Sequence, residues 1–110
     1  MVRISVMYPS RAGARFDYDY YENRHIPLAL SLLGEAVRSV TVERGLDPGP
    51  PWPAPTYLVV ANFVRDSLDA YEQAIGAHGR ALQADLANFS DSLPVIQVGE
   101  VRTEMQTIRG

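Results

Sequence analysis

The segment Tyr57 to Val64, YLVVANFV, constrains the fold more than any other part of the sequence. It is apolar at nearly every position, which is typical of a strand whose two faces are both covered. The preceding stretch from Gly45 to Pro55, GLDPGPPWPAP, is too rich in glycine and proline for a helix or a central strand. We therefore predict a long loop that leads into a strand buried on both sides.

The remaining segments give an order of strands and helices. Val2 to Tyr8 alternates apolar and polar residues as a half-buried strand does. The other predicted elements are a helix over residues 17–33, a strand over 37–44, a helix from Ser67 that is interrupted at Gly76 and resumes from Arg80 to Leu86, and a strand after Pro94. The order βαββαβ indicates an α+β fold, the ferredoxin-like split sandwich with four antiparallel strands.

Two helices can cover only one face of such a sheet, so the apolar third strand also predicts an assembly. The simplest cover for the second face is the sheet of another copy, which gives a homodimer that closes into a dimeric α/β barrel with room for an internal cavity. The alternative is that the proline-rich loop and the C-terminal tail cover that face.

Composition limits the class of protein. The 110 residues suit a single domain over 1–110, and the net charge of −3 argues against a nucleic-acid partner. All ten basic residues are arginine, so Schiff-base chemistry and P-loop phosphate binding are excluded, and the lack of cysteine removes thiol chemistry. The sequence has neither a signal-like start nor a membrane-length apolar run, so we expect a cytoplasmic protein without a membrane partner.

Pro27 stands in the middle of the first predicted helix, close to His25. Proline lacks the N–H that a helix uses and disfavours helical angles in the residue before it, here Ile26. We therefore predict a kink or restart at His25 that tilts the imidazole out of the helix packing and toward the sheet.

His25 is the main candidate for chemistry, because imidazole exchanges protons near neutral pH. Three phenols, Tyr8, Tyr20 and Tyr21, are predicted to bind a flat ligand by stacking or hydrogen bonding. His78 follows the predicted helix interruption, where it could line the same pocket or face solvent. From the residues alone, His25 could equally be a helix histidine without a function.

Other kinds of site lack support in the sequence. Glu22 and His25 have the spacing of half a di-iron ligand set, but nothing completes it, so no metal is predicted. A nucleophilic-serine elbow and a glycine-rich dinucleotide fingerprint are both absent. Trp52, within the proline-rich loop, could be a surface anchor, a lid over the pocket or an arm that reaches the other subunit.

The segments RISVMYPSRAGARFDYDYYENRHIPL and PVIQVGEV resemble the EthD family, named for ethyl tert-butyl ether degradation. The most recognisable element is Phe16-Asp17, Tyr20-Tyr21 and then His25-x-Pro27-Leu28. The resemblance implies a dimeric α/β barrel built from ferredoxin-like halves. Proteins with that barrel include cofactor-independent monooxygenases, muconolactone-type isomerases, polyketide cyclases and haem-handling enzymes, and His25 matches the position of their pocket histidine.

These observations predict an enzyme of small hydrophobic or aromatic molecules that works without a dissociable cofactor. Its chemistry would be of the oxidoreductase (monooxygenase) or isomerase and cyclase type, with His25 as the acid or base. The rival hypothesis is a binding or carrier protein that delivers a hydrophobic intermediate to a partner oxygenase. Haem binding through a histidine ligand is a third option.

Overall fold

The computed structural model describes residues 1–107, except for the side chain of residue 70. Its four strands are β1 (Val2–Pro9), β2 (Ser39–Arg44), β3 (Tyr57–Arg65) and β4 (Val95–Glu100). They form one antiparallel sheet in the order β2-β3-β1-β4, and Ile4 on β1 stands between Phe63 of β3 and Val98 of β4. The predicted α+β, ferredoxin-like fold is confirmed, although β2 begins two residues later than predicted.

The first helical region has three parts: α1 (Tyr18–Tyr20), a π-helical segment (Tyr21–His25) and α2 (Ile26–Leu33). Asp17 caps its start, because the carboxylate accepts a hydrogen bond of 3.0 Å from the Tyr20 backbone N–H. Gly34 ends it with a φ of 65°, a backbone conformation that glycine adopts without steric cost.

Pro27 does not interrupt this region. Ile26 keeps helical angles (φ −63°, ψ −46°), and its N–H donates to the carbonyl of Tyr21, five residues earlier. Pro27 then lies in the first turn of α2, where a helix has no intrahelical use for the N–H. The prediction that Ile26 leaves the helical region was therefore wrong: the irregularity is a π turn that ends at His25, not a break.

The second long helix, α3 (Leu68–Asp85), runs without interruption and passes into a 3₁₀ turn (Leu86–Asn88). The predicted break at Gly76 was wrong. Glycine in a helix costs only ~1 kcal/mol relative to alanine, and the other residues of the 18-residue helix α3 offset that loss of stability.

Burial alternates along β3 within the single chain, so the cover predicted for its second face is not supplied by this chain's helices. Val59, Ala61, Phe63 and Arg65 are buried on the face that the helices cover, and the residues between them are half-buried. Leu46 and Trp52 in the proline-rich loop and Met105 in the tail are 71%, 67% and 82% exposed, so these apolar side chains do not pack onto the other face. Within the described part of the chain, no helix is long and apolar enough to cross a membrane.

Candidate functional site

A cavity of about 560 Å³ lies between the helix-facing side of the sheet and helices α2 and α3. Its size is within the ~300–1,000 Å³ of ordinary small-molecule sites. This cavity is formed within one chain and is distinct from the cavity predicted between the two sheets of a dimer. The lining is mostly apolar: Val6, Tyr8, Tyr21, His25, Ala29, Leu33, Phe63, Tyr71, Ile75, Gly79, Arg80, Leu82, Gln83, Leu86, Leu93, Pro94 and Ile96.

His25 lines this cavity from the end of the π-helical segment and pairs with a carboxylate on α3. Its Nδ1 lies 2.9 Å from Oδ2 of Asp85, and the two side chains are only 12% and 13% exposed. Since a carboxylate accepts a hydrogen bond, the geometry assigns the proton of the neutral imidazole to Nδ1. The other ring nitrogen, Nε2, then carries the lone pair that can take up a proton.

Asp85 is held by further hydrogen bonds. The Tyr20 hydroxyl donates to Oδ1 at 2.5 Å, and the Asn88 amide donates to the same oxygen at 2.9 Å. Burial works to raise the pKa of Asp85, but the hydrogen bonds from Tyr20, Asn88 and His25 outweigh it and hold that pKa below its usual range. The hydrogen bond to Asp85 in turn raises the pKa of Tyr20, so this phenol stays a donor at neutral pH.

Aromatic rings fix the imidazole from two sides. Tyr21 stacks on it with a centroid distance of 5.5 Å and an interplanar angle of 15°, and the Phe89 centroid lies 4.5 Å away. Backbone pairing between two distant segments positions Phe89: the Asp17 N–H donates to its carbonyl at 2.8 Å, and Phe16 forms a β-bridge with Ser90. Burial raises the pKa of Tyr8 to about 12, so this cavity phenol also stays protonated.

The structure brings together three of the five predicted site residues, since Tyr8, Tyr21 and His25 all line the cavity. Tyr20 does not line it but binds Asp85 behind the imidazole. His78 is half-buried on α3 and outside the lining. The described part of the chain brings no group of three or more histidine, aspartate or glutamate side chains close enough to hold a metal ion.

Sequence reasoning missed Asp85, Asn88 and Phe89. A signal was present for one of them: Asp85 continues the spacing of three and four that begins with Tyr71 and Ile75 on α3. A carboxylate in such an apolar stripe calls for a polar partner. Because a break was predicted at Gly76, residues before and after it were not assigned to one face of the same helix.

Comparison with known proteins places the chain in a family. The model of the EthD domain matches residues 13–93. An EthD-like protein from Ralstonia eutropha JMP134 is 38% identical, with a TM-score of 0.88 and coverage of 94% of each chain. An EthD-family protein from Bacillus halodurans C-125 is 23% identical, with a TM-score of 0.68 over 92% of this chain and 98% of that one.

A protein from Arabidopsis thaliana shares the fold at 11% identity, with a TM-score of 0.56 over 97% of this chain and 98% of that one. Among curated proteins, none matched the sequence. The match over residues 13–93 covers the motif around His25 as well as Asp85 on α3, and the identity of 38% extends over nearly the whole chain. The chain belongs to the EthD family.

Proposed function

We propose that this EthD-family protein is an acid–base enzyme of small hydrophobic or aromatic molecules, with His25 as the general base. The observation that carries the proposal is the pairing of His25 Nδ1 with Asp85 at 2.9 Å on the wall of an apolar cavity. A histidine without a partner is common in proteins, whereas a histidine oriented by a carboxylate beside a cavity is the usual arrangement of a proton carrier.

The pair divides the work between its members. Nε2 of His25 takes a proton from a phenol hydroxyl or from a carbon next to a carbonyl, which leaves a phenolate or an enolate. Asp85 does not take up that proton; its negative charge stabilises the imidazolium that forms. The lowered pKa of Asp85 supports this role, because it keeps the carboxylate ionised across the neutral range.

The rest of the cavity suits the anion that such a step creates. Tyr8 and Tyr21 are buried and stay protonated, since burial raises the pKa of both phenols. Protonated phenols can donate hydrogen bonds to a developing phenolate or enolate oxygen. Proton abstraction of this kind is a shared first step of cofactor-independent oxygenation, isomerisation and cyclisation, the reaction classes that the family resemblance implies.

A carrier function is the second candidate, and the cavity itself favours it. Apart from His25 and the rim residues Arg80 and Gln83, the lining is apolar or phenolic, so it would hold a hydrophobic intermediate without any reaction. The two candidates differ in one respect. A carrier needs the cavity but has no use for the ionised Asp85 behind His25.

Titration of the imidazoles by NMR, with phenols, lactones and short ketones as ligands, tests the proposal. We expect one ligand class to shift the His25 signals. Carbon-bound protons next to the carbonyl of a bound ketone or lactone should then exchange with deuterium from the solvent. For a bound phenol, a shift of its absorption to that of the phenolate is the corresponding sign.

Three variants make the test specific. His25→Gln should abolish exchange, Asp85→Asn should slow it about 10²–10⁴-fold, and His78→Gln, outside the cavity, should leave it unchanged. Ligand binding with exchange that does not depend on His25 would reject the enzyme and favour the carrier. If no ligand perturbs His25, both functions of the cavity are contradicted.

We further propose that two copies associate through the open faces of their sheets, the face away from the helices. Met7, Leu58, Val60, Val64 and Val95 are apolar residues on that face, by the alternation of the strands that carry them, and the polar pair of Ser5 and Asn62 lies among them. A second copy would supply a matching apolar sheet.

A further inference from the structure

Arg65 is a buried cation with no carboxylate partner among residues 1–107. It is the last residue of β3, its side chain points to the helix-covered face, and the residue is 0% exposed. All three guanidinium nitrogens, Nε, Nη1 and Nη2, lack a hydrogen-bond acceptor among the described residues. A charge taken out of water costs several kcal/mol unless it is paired, so this arginine needs an explanation.

Its surroundings offer only partial compensation. The guanidinium carbon lies 4.7 Å from the centroid of the Tyr71 ring, a cation–π contact. The neighbouring Asp66 is turned to the surface, where it pairs with Arg38 at 2.8 Å. Asp69, in the first turn of α3, is exposed. Burial lowers the pKa of Arg65, which means that its charged form is poorly stabilised there.

The N-terminus of α3 makes the electrostatic potential around the Arg65 guanidinium more positive. The helix begins at Leu68, and Tyr71, whose ring covers the guanidinium, is its fourth residue. Ser67 at the N-cap makes no capping hydrogen bond with its side chain. Since a long helix carries a partial positive charge at its N-terminus, a buried cation beside it is unfavourable and an anion there is favourable.

Tyr71 connects this place to the cavity. Its half-buried side chain lines the cavity and covers Arg65 with its ring. Asp85, the partner of His25, lies 14 residues further along α3, which corresponds to about 21 Å of helix. Tyr71 and His25 therefore line opposite ends of the cavity, and Arg65, which does not line it, lies behind the Tyr71 ring.

We propose that Arg65 binds the carboxylate of an elongated, otherwise apolar ligand, and that the ring of Tyr71 turns aside to admit it. The guanidinium matches a carboxylate in a two-point hydrogen-bonded pair, which is the strongest such interaction available to arginine. This inference rests on the proposed function, because it names the substrate class of the same cavity: a carboxylic acid whose reactive part lies near His25, away from the acid group.

The test compares octanoate with 1-octanol, which share a chain but differ in charge. Isothermal titration calorimetry should show that the wild-type protein prefers octanoate about tenfold or more, as expected for hydrogen bonds to a charged group. Arg65→Met should abolish the preference. Arg80→Met removes the exposed arginine at the cavity rim and should leave the preference intact.

Several results would overturn the inference. These are equal affinity of the wild type for the two probes, or a preference that survives Arg65→Met and disappears in Arg80→Met. Inorganic phosphate that raises the Tm of the wild type but not of Arg65→Met, with no advantage of octanoate over 1-octanol, would indicate a site for small free anions instead.

Stability of the free variant is a further check. Methionine fills a similar volume without a charge, so Arg65→Met should match or exceed the Tm of the wild type without ligand. Should that variant not fold, Arg65→Lys keeps the charge but loses the two-point geometry and should weaken the preference. The preference should persist in His25→Gln, so its loss and a loss of proton abstraction are separate results.

Discussion

Asp85 receives hydrogen bonds from two parts of the chain that are distant in sequence. Tyr20 and His25 reach it from the first helical region, and Asn88 reaches it from the turn after α3. One carboxylate thus fixes the imidazole and joins the first helical region to the end of α3. A single residue here serves both the stability of the helix pair and the orientation of the His25 imidazole, the proposed base.

This dual role predicts a pH-dependent stability. Because the pKa of Asp85 is lower in the folded protein than the ordinary ~3.9, its ionised form stabilises the fold above about pH 4. That contribution should be lost as the pH falls through the lower, folded-state pKa. Urea unfolding of the wild type and of Asp85→Asn between pH 6 and 3 measures it.

The two proteins should differ most near pH 6, and the difference should shrink toward pH 3. A difference that does not change with pH would contradict the prediction, because it would assign the effect of the variant to packing. Tyr20→Phe is a useful companion: it removes one donor to Asp85 but keeps the ring. It should show a smaller pH-dependent difference of the same sign.

At the scale of elements, the rules for glycine and proline predicted breaks inside both helical regions, at Ile26 and at Gly76, that the structure does not have. Pro27 is compatible with a continuous region because the π turn already shifts the hydrogen bonding before it, as the bond from Ile26 to Tyr21 demonstrates. The helical preferences of the residues do not predict a π turn. His25 and its tyrosine neighbours could still be predicted, because they lie in one short sequence motif. Asp85 could not, because its position beside His25 follows only if α3 is continuous.

The continuity of α3 predicts that two glycine substitutions have different effects. A Cβ at Gly76 would meet nothing within 4 Å, so Gly76→Ala should stabilise the protein by about 1 kcal/mol through helix propensity. A Cβ at Gly79 would lie 3.3 Å from Cγ2 of Ile75, in the cavity wall, so Gly79→Ala should gain less. Urea unfolding measures both, and a loss of stability in Gly76→Ala would contradict a regular helix at that position.

At the scale of the molecule, the shape is extended for the length of the chain. The radius of gyration is 15.1 Å and the extents are 42 × 41 × 21 Å, whereas a compact domain of this length has a radius of about 13 Å. The proline-rich loop, with Leu46 and Trp52 exposed, fits this open outline. The sequence predicted the four-stranded antiparallel sheet, the order of its elements along the chain and the loop. It predicted a cavity between two sheets but not the one between the sheet and the helices, because that one depends on how the two helices pack.

The open sheet face leads to the last prediction, that the chain of 12.2 kDa sediments at twice that mass. Val60→Lys should convert the dimer to a monomer, since Val60 is half-buried on the open face of β3 and a lysine between two sheets would be costly to bury. The monomer should remain folded, because Glu43 stands opposite position 60 and can pair with the new charge.

Leu30→Lys is the matched control for this experiment. Leu30 is 36% exposed on α2, on the helical side of the molecule, so a lysine there should leave the mass unchanged. Sedimentation equilibrium on the three proteins separates the possibilities. A monomeric wild type, or a Val60→Lys variant that keeps the wild-type mass, would contradict association through the sheets, and the apolar residues of the open face would then need a different partner.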